Sequence, residues 1–195
     1  MSGAQGLAAP VRRSPGASQP LCPPAELPAI NYPSRLDQLP DPSQFTDIDL
    51  SELATAICSE QAEAWKSTIK LTCDIQDHVH FKGDPLLLGR LMNNLIDNAY
   101  QYGKENGNIK VTLKKQSDSL TFIVEDDGIG ISKSDQAKIF NRFYQSDSAR
   151  TANDRGSMGL GLAMVKKIVM IHGGEINVVS EINKGSRFIV KFPTN

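Results

Sequence analysis

The distribution of proline is the feature of this sequence that most limits what it can fold into. Nine of the eleven prolines lie in the first 42 residues. Proline fixes φ, lacks a backbone N–H and disrupts the interior of helices and strands. We therefore predict a disordered, proline-rich leader over residues 1–45 and one folded domain over residues 46–195. Subtracting the leader from 195 residues leaves about 150, which is enough for a sizeable hydrophobic core.

Charge and cysteine content argue against several classes of protein. With 21 Lys and Arg against 22 Asp and Glu, the net charge is −1, so we expect no nucleic-acid partner. The cysteines, Cys22, Cys58 and Cys73, have no C-x-x-C spacing, which argues against a disulfide framework or a zinc site and favours a reducing compartment. No signal peptide or membrane-spanning segment is visible. We expect a cytoplasmic chain, although a longer parent protein could be membrane-anchored.

Hydrophobic periodicity predicts the order of the secondary structure. Helices are expected over about 49–65 and 84–102, over a short stretch at 133–140, and from about 159 to a Gly-Gly pair at 173–174. Strands are expected over 69–75, 79–81, 109–113 and 120–124, with a closing hairpin that pairs Ile176 and Val178 with Phe188, Val190 and Phe192. This order predicts an α+β fold in which three main helices form one layer on a mixed, mostly antiparallel sheet.

The predicted helix over 84–102 carries asparagines where helices disfavour them. Asn93, Asn94 and Asn98 lie in its interior, where Asn costs up to about 0.7 kcal/mol relative to Ala. At about 100° per residue, Asn94, Asn98 and Gln101 fall on one strip beside the apolar stripe. Amide oxygens spaced in this way suit a partial ligand set for Mg²⁺, which completes its shell with water and phosphate. The alternative is that these asparagines cap buried polar groups.

A second motif follows the predicted strand at 120–124 and has the sequence DDGIG over residues 126–130. Glycine lets the backbone approach a flat ligand closely, and a fixed carboxylate can accept a hydrogen bond from an exocyclic amine. Such a bond contributes roughly 1.5–3 kcal/mol, enough to prefer an amino purine over one with a carbonyl group there. An ordinary Asp-Gly turn is the alternative. A dinucleotide fingerprint fits less well, because Lys133 stands where a third glycine is needed.

A third motif, GSMGLGL over residues 156–162, runs into the start of the last predicted helix. Unpaired amides and the helix dipole at such a start favour anions, including phosphates. The preceding loop of about 16 residues carries Arg142, Arg150 and Arg155 and is long enough to be a lid or a binding loop. A flexible surface connection is the alternative.

Taken together, the motifs resemble the ATP-binding catalytic domain of bacterial sensor histidine kinases, in the superfamily that includes gyrase, chaperone and mismatch-repair ATPases. The resemblance covers about residues 46–194. Four blocks follow the family's order and spacing, with 91–102 similar to the N box, 126–130 to the D-x-G-x-G box, 139–144 to the F box and 159–162 to the second glycine box. The resemblance implies the Bergerat fold, a two-layer α/β sandwich, and ATP and Mg²⁺ as cofactors.

The resemblance also implies residue roles. Asn98 would be the principal Mg²⁺ ligand with Asn94 assisting, and Asp126 would hold the adenine amine. Tyr102 would flank the nucleotide, and Arg142 or Arg150 would reach the phosphates. The implied ATP-binding set is Asn94, Asn98, Gln101, Tyr102, Asp126, Gly128, Gly130, Ile131, Arg150, Gly159, Leu160 and Gly161, and the implied catalytic set is Asn94, Asn98 and Arg142.

Two positions depart from the family pattern. Gln101 stands where many members carry Lys or Arg, which removes a phosphate contact. Ser157 replaces a glycine that is common in the second glycine box. Both departures bear on nucleotide affinity.

None of the histidines in this sequence is predicted to receive the phosphoryl group. Kinases of this type phosphorylate a histidine on a dimerisation helix, but residues 1–45 contain no His, and we expect surface or packing roles for His78, His80 and His172. The resemblance therefore implies a module that donates the γ-phosphoryl group of ATP to a separate histidine-bearing dimerisation domain, with a response regulator downstream. Autonomous autophosphorylation is not expected. The alternatives are a serine kinase of the anti-sigma-factor type and a non-catalytic nucleotide-binding module that engages kinase partners.

Overall fold

A computed structural model describes residues 41–64, 69–146 and 159–194. Residues 1–40 of the predicted leader lie outside the described residues. The described chain begins with a 3₁₀ turn at Pro42–Gln44, capped by Asp41, whose side chain accepts a hydrogen bond of 2.9 Å from the Ser43 amide. No helix in the described part of the chain is long and apolar enough to cross a lipid bilayer.

The observed elements follow the predicted order closely. The helices are α1 (Leu50–Ala64), α2 (Pro85–Tyr102), α3 (Lys133–Gln136) and α4 (Gly161–Ile171). The strands are β1 (Thr46–Asp49), β2 (Lys70–Ile75), β3 (His80–Gly83), β4 (Asn108–Lys115), β5 (Ser119–Asp126), β6 (Glu175–Glu181) and β7 (Gly185–Pro193). Strand β1 was not predicted, and the short helix expected over 133–140 ends at Gln136. The last helix begins two residues later than expected.

The main sheet has the strand order β2-β4-β5-β7-β6, and β1 and β3 form a separate two-stranded sheet. Only the β2–β4 pair of the main sheet is parallel. The predicted mixed, mostly antiparallel sheet under three main helices is therefore confirmed. The predicted closing hairpin is confirmed, with Ile176 opposite Val190 and Val178 opposite Phe188. Phe192 lies one residue beyond the last residue of β7 that pairs with β6, and its partner is Leu120 of β5.

The hydrophobic core lies between this sheet and the helices. Helix α2 packs on β4 and β5 and contacts both α1 and α4, while α1 packs on β2 and α4 packs on β6. The predicted apolar face of α2 is buried at Leu88, Leu91, Leu95 and Ala99. Tyr102, the next residue of that stripe, is only half-buried. The stripe thus leads from the core to the edge of a cavity.

His172 has the packing role expected for it. Its Nδ1 donates to the Ile168 carbonyl at 2.8 Å, and its Nε2 accepts from the Asp84 amide at 3.1 Å. Its ring stacks on Phe45 with a centroid distance of 4.6 Å, so residues just before β1 already contact the folded domain. Burial lowers the pKa of His172, which favours the neutral form that these two hydrogen bonds require.

Candidate nucleotide-binding site

A cavity of about 300 Å³ lies between α2, the loop after β5 and the start of α4. Its size is in the range of small-molecule sites. Its lining comes from five parts of the chain and comprises Asn94, Asp97, Asn98, Gln101 and Tyr102; Asp126, Ile129, Gly130 and Ile131; Ile139, Tyr144, Gln145 and Ser146; Gly159, Leu160, Gly161 and Leu162; and Ser186 and Phe188.

The structure brings most of the predicted site residues together in this cavity. Of those in the described part of the chain, all line it except Gly128 and Arg142. Gly128 is buried in the loop after β5, and Arg142 is exposed in the turn that follows α3. Arg150 lies outside the described residues, as does Ser157. A phosphate contact by Arg142 or Arg150 therefore stays a prediction.

Asn94 and Asn98 present amide groups to the cavity from successive turns of α2. The Asn94 Nδ2 donates to the Arg90 carbonyl at 2.8 Å. Its Oδ1 therefore points to the start of α4, where it would lie 3.0 Å from a Cβ atom built on Gly161. The Nδ2 of Asn98 is buried and has no hydrogen-bond partner among the described residues. Buried amides normally have partners, so the Asn98 side chain is suited to a ligand in this cavity.

Asn93 has a different role from the other two asparagines. Gln61 of α1 donates from Nε2 to Asn93 Oδ1 at 3.0 Å and to Asp97 Oδ1 at 3.1 Å. Capping a polar group between helices, the alternative considered for all three asparagines, thus applies to Asn93. Asp97 lines the cavity and was not predicted, although its position three residues after Asn94 places it on the same face of the helix.

Asp126 closes the opposite end of the cavity. It follows Val124 by two residues and so continues the buried face of β5. Its Oδ1 accepts hydrogen bonds from the Gly128 amide at 2.8 Å and the Ser186 amide at 3.3 Å. No described residue donates to its Oδ2, which can accept from a ligand. Burial raises the pKa of Asp126 to about 6, although both hydrogen bonds favour the carboxylate.

The glycines after Asp126 allow the backbone to pack against two neighbouring segments. A Cβ atom on Gly128 would lie 2.0 Å from the Tyr102 carbonyl oxygen, and one on Gly130 would lie 2.0 Å from that of Glu181. Gly130 also has a φ of 70°. The Ile129 amide donates to the Tyr102 carbonyl at 3.1 Å. The glycine loop is therefore fixed against the end of α2 and the β6–β7 hairpin.

The start of α4 forms a site suited to anions. Leu160 occupies the N-cap position, and no side chain in the described part of the chain caps the helix there. The first amides of α4 are therefore available to a ligand, and the helix dipole favours a negative charge at this point. Gly159 has a φ of 66°, and its carbonyl accepts from the Phe143 amide at 3.0 Å. This bond ties the glycine box to the F box.

Several lining residues could not be inferred from local sequence. Ser186 and Phe188 reach the cavity because β7 pairs with β5 in a register that puts Ser186 opposite Asp126. Tyr144 arrives through the chain reversal after α3 and donates from its hydroxyl to Asp135 Oδ1 at 2.8 Å. Neither contact has a local sequence signal, because both depend on tertiary packing.

The charges of the cavity indicate how it could hold phosphates. Asp97 and Asp126 are its only charged lining residues among those described, and neither is basic. No cluster of three His, Cys, Asp or Glu residues that could hold a metal ion occurs in the described ranges. The amide oxygens of Asn94 and Asn98 are thus the donors present beside the anion site. Two neutral oxygen ligands are better suited to a cation that binds together with phosphates than to a permanently bound metal ion.

Residues 83–195 match the sequence model of the family described as histidine kinase-, DNA gyrase B-, and HSP90-like ATPases. The chain belongs to this ATPase family. The circadian input-output histidine kinase CikA from Synechococcus elongatus is 35% identical over 154 residues, 77% of this chain and 20% of the relative. The sensor-like histidine kinase SenX3 from Mycolicibacterium smegmatis is 34% identical over 157 residues, 80% of this chain and 40% of the relative. The ATPase chain thus spans between a fifth and two fifths of these relatives' length.

Solved structures show the same fold. The nucleotide-free catalytic domain of the histidine kinase ThkA has a TM-score of 0.68 and 27% identity, covering 77% of this ATPase chain and 95% of that chain. ThkA in complex with the response regulator protein TrrA matches with a TM-score of 0.64 and 25% identity, covering 77% of this chain and 42% of that chain. The predicted family and fold are therefore confirmed. The chain is an ATP-binding catalytic domain homologous to those of two-component sensor kinases.

Proposed function

We propose that this domain binds Mg-ATP in the cavity and donates the γ-phosphoryl group to a histidine on a separate dimerisation domain. The observation that carries the proposal is the arrangement of two unlike ends in one cavity. Asp126 offers a partly buried acceptor at one end, while Asn94, Asn98 and the start of α4 offer oxygen donors and free amides at the other. A nucleotide needs this combination. The exocyclic amine of its base requires a hydrogen-bond acceptor, whereas its phosphates require hydrogen-bond donors and a cation. The unit proposed to do this is residues 46–195.

Adenine would lie at the Asp126 end. Its exocyclic amine can donate to the free Oδ2 of Asp126, while Oδ1 stays fixed by the Gly128 and Ser186 amides. A purine with a carbonyl at that position would place two acceptors together in a partly buried site, which is unfavourable. Gly130 and Ile131 would contact the face of the base.

The phosphates would lie at the start of α4. The side-chain oxygens of Asn94 and Asn98 would hold Mg²⁺ together with phosphate and water oxygens. When bound, Mg²⁺ supplies charge neutralisation for phosphoryl transfer. The Nδ2 of Asn98, which has no partner among the described residues, would gain a phosphate oxygen as its acceptor. The amides of α4 would receive further phosphate oxygens.

The phosphoryl acceptor would come from another domain. None of the chain's three histidines lines the cavity: His80 pairs with Asp47 at the surface, His172 is packed inside, and His78 lies between β2 and β3. We expect a histidine-bearing dimerisation domain as the direct partner and a response regulator downstream. Since ATP is a cytoplasmic phosphoryl donor, we expect the domain to act there. The relatives reported above are sensor histidine kinases, which favours this function over an anti-sigma-type serine kinase.

The test is phosphoryl transfer between separate proteins. The chain is incubated with ATP radiolabelled at the γ-position and the isolated histidine-bearing dimerisation domain of a sensor kinase relative. We expect acid-labile label on the dimerisation domain and none on the chain, and loss of the label with Asn98→Ala but not with Asn93→Ala. Acid-stable label on serine would support the serine kinase instead. Nucleotide binding without transfer to any dimerisation domain tried would indicate a non-catalytic binding module.

A further inference from the structure

A second cleft, of about 350 Å³, lies between α1 and β2, and none of its lining residues lines the nucleotide cavity. The cleft contains two cysteine side chains, one from each element. Helix α1 contributes Thr55, Cys58, Ser59 and Ala62, and strand β2 contributes Leu71, Cys73 and Ile75.

The periods of the helix and of the strand place both thiols in the cleft. Residues 55, 58, 59 and 62 share one face of α1, and residues 71, 73 and 75 alternate onto the helix-facing side of β2. Because β2 is an edge strand and α1 presents only short side chains here, the cleft stays open. Cys58 is buried with 5% of its surface exposed, whereas Cys73 is exposed to solvent.

The two thiols are also chemically unlike. The neighbouring Cys58 thiol lowers the pKa of Cys73 to about 7, while the neighbouring Cys73 thiol and burial raise the pKa of Cys58. A large fraction of Cys73 is thus thiolate at neutral pH. The thiolate is the form of cysteine that attacks an oxidant, and Cys73 is also the one that solvent reaches.

We propose that Cys58 and Cys73 form a reversible redox pair that a peroxide converts into an intramolecular disulfide. The Cys73 thiolate attacks one peroxide oxygen, the O–O bond breaks, and Cys73 becomes a sulfenic acid while hydroxide leaves and is protonated to water. The Cys58 sulfur then attacks the Cys73 sulfur. An S–S bond forms, the S–O bond breaks, and the hydroxyl leaves with the Cys58 proton as a second water. The two thiols are oxidised and one peroxide is reduced to two waters.

The second step is assisted by the first. While Cys73 is a thiolate, its negative charge favours the protonated form of Cys58. Conversion of Cys73 to the sulfenic acid removes that negative charge, so Cys58 loses its proton more readily at the moment when it must attack. A disulfide of this kind is transient and reversible by thiol reductants, which agrees with a reducing compartment.

The test uses the full chain carrying Cys22→Ser, so that only the proposed pair remains. After treatment with hydrogen peroxide, we expect both free thiols to disappear together, with a mass loss of about 2 Da, recovery by dithiothreitol and a monomer on a non-reducing gel. A peptide digest under non-reducing conditions should link residues 58 and 73. The cross-linked chain should unfold at a temperature up to about 10 °C higher, because the disulfide restricts the unfolded chain by closing a loop between residues 58 and 73.

Two variants separate the roles of the thiols. Cys58→Ala should remove the disulfide, leave Cys73 as a sulfenic or sulfinic acid, and lower the rate of Cys73 alkylation at pH 7 about tenfold, because its thiolate is no longer stabilised. Cys73→Ser should leave Cys58 unreactive. Cooperative thermal unfolding shows that each variant is folded. Intermolecular dimers, over-oxidised Cys73 beside an intact Cys58 in the chain with both thiols, or thiols that peroxide leaves unchanged would overturn the proposal.

Discussion

The two ends of the nucleotide cavity are built in opposite ways. At the Asp126 end, backbone hydrogen bonds fix the glycine loop to Tyr102, to the β6–β7 hairpin and to the carboxylate itself. At the α4 end, the helix start has no side-chain cap in the described part of the chain, and the Asn98 Nδ2 has no partner there. The end that we propose for the base, the base end, is thus formed during folding, while the end that we propose for the phosphates, the phosphate end, keeps hydrogen-bonding capacity for a ligand.

This difference between the two ends predicts which substitutions lower stability and which lower ligand affinity. Substitutions of Gly128 or Gly130 should cost free energy of unfolding, because these glycines pack closely against the backbone of Tyr102 and Glu181. Substitutions at the phosphate end should cost ligand affinity with little loss of stability, because the groups there are not satisfied by the protein.

The largest expected effect is that of Gly130→Ala at the base end. Its Cβ would lie 2.0 Å from the Glu181 carbonyl oxygen at a φ of 70°, so the loop must move, and we expect a loss of about 3–5 kcal/mol in the free energy of unfolding. Gly173→Ala is the matched control, because it has the same φ of 70° with no atom within 4 Å and should lose only about 1–2 kcal/mol. Urea unfolding compares the two. Equal losses would show that the close approach to Glu181 has no energetic consequence.

Asp126→Asn is expected to lower the affinity for adenine nucleotides about 10- to 100-fold, because a hydrogen bond to a charged acceptor contributes about 1.5–3 kcal/mol. Its preference for adenine over guanine nucleotides should fall as well. Stability at neutral pH should not fall, since Asn keeps an oxygen for the Gly128 and Ser186 amides and removes a buried charge. Calorimetric titration measures the affinities, and Asp127→Asn, adjacent but outside the cavity lining, is the control. An unchanged adenine preference would remove Asp126 from base recognition.

Asn98→Ala tests the other end. We expect the affinity for Mg-ATP to fall about tenfold, while the free energy of unfolding changes by less than about 0.5 kcal/mol, because Ala favours the helix and no partner of Nδ2 is lost. Asn93→Ala, five residues earlier on α2, loses its hydrogen bond from Gln61 and should cost about 1 kcal/mol of stability with unchanged affinity. If Asn98→Ala were the more destabilising variant, the phosphate end would not be held open for a ligand.

The smallest effect concerns pH. Because burial raises the pKa of Asp126 to about 6, protonation should weaken nucleotide binding about twofold at pH 6 and about tenfold at pH 5. The free protein should respond with the opposite sign. A raised carboxyl pKa contributes stability that is complete below the ordinary value and is lost as the pH rises through about 6. We therefore expect the free energy of unfolding of the wild type, relative to that of Asp126→Asn, to be higher at about pH 5 than at about pH 8 in urea unfolding. An equal difference at the two pH values would contradict the raised pKa of Asp126.

Local patterns predicted much of this site. Helical spacing placed Asn94, Asn98 and Gln101 on one strip, and all three line the cavity together with Asp126 and Gly130 of the D-x-G-x-G motif. A role of this motif in binding the base stays a prediction. Residues that reach the cavity through tertiary structure were missed. Ser186 depends on the β5–β7 register, and Tyr144 depends on the chain reversal after α3.

The fold shows the same limit. Helices and hairpins with clear periods were predicted within a few residues, because their signals are local. Strand β1, with the sequence TDID, was missed because it lacks an apolar alternation and is formed by pairing with β3. The pairing of Phe192 with Leu120 was also missed, since strand order in a sheet is not a local property.

The most direct test of a cavity with two separate ends is a calorimetric comparison of AMP and Mg-ATP on three proteins. For wild type we expect both ligands to bind, with Mg-ATP the tighter. Asp126→Asn should lower the affinities for AMP and for Mg-ATP by the same factor. Asn98→Ala should lower the affinity for Mg-ATP and leave the affinity for AMP unchanged. The account would be contradicted if Asn98→Ala weakened AMP as much as Mg-ATP, or if Asp126→Asn left the affinity for AMP unaltered.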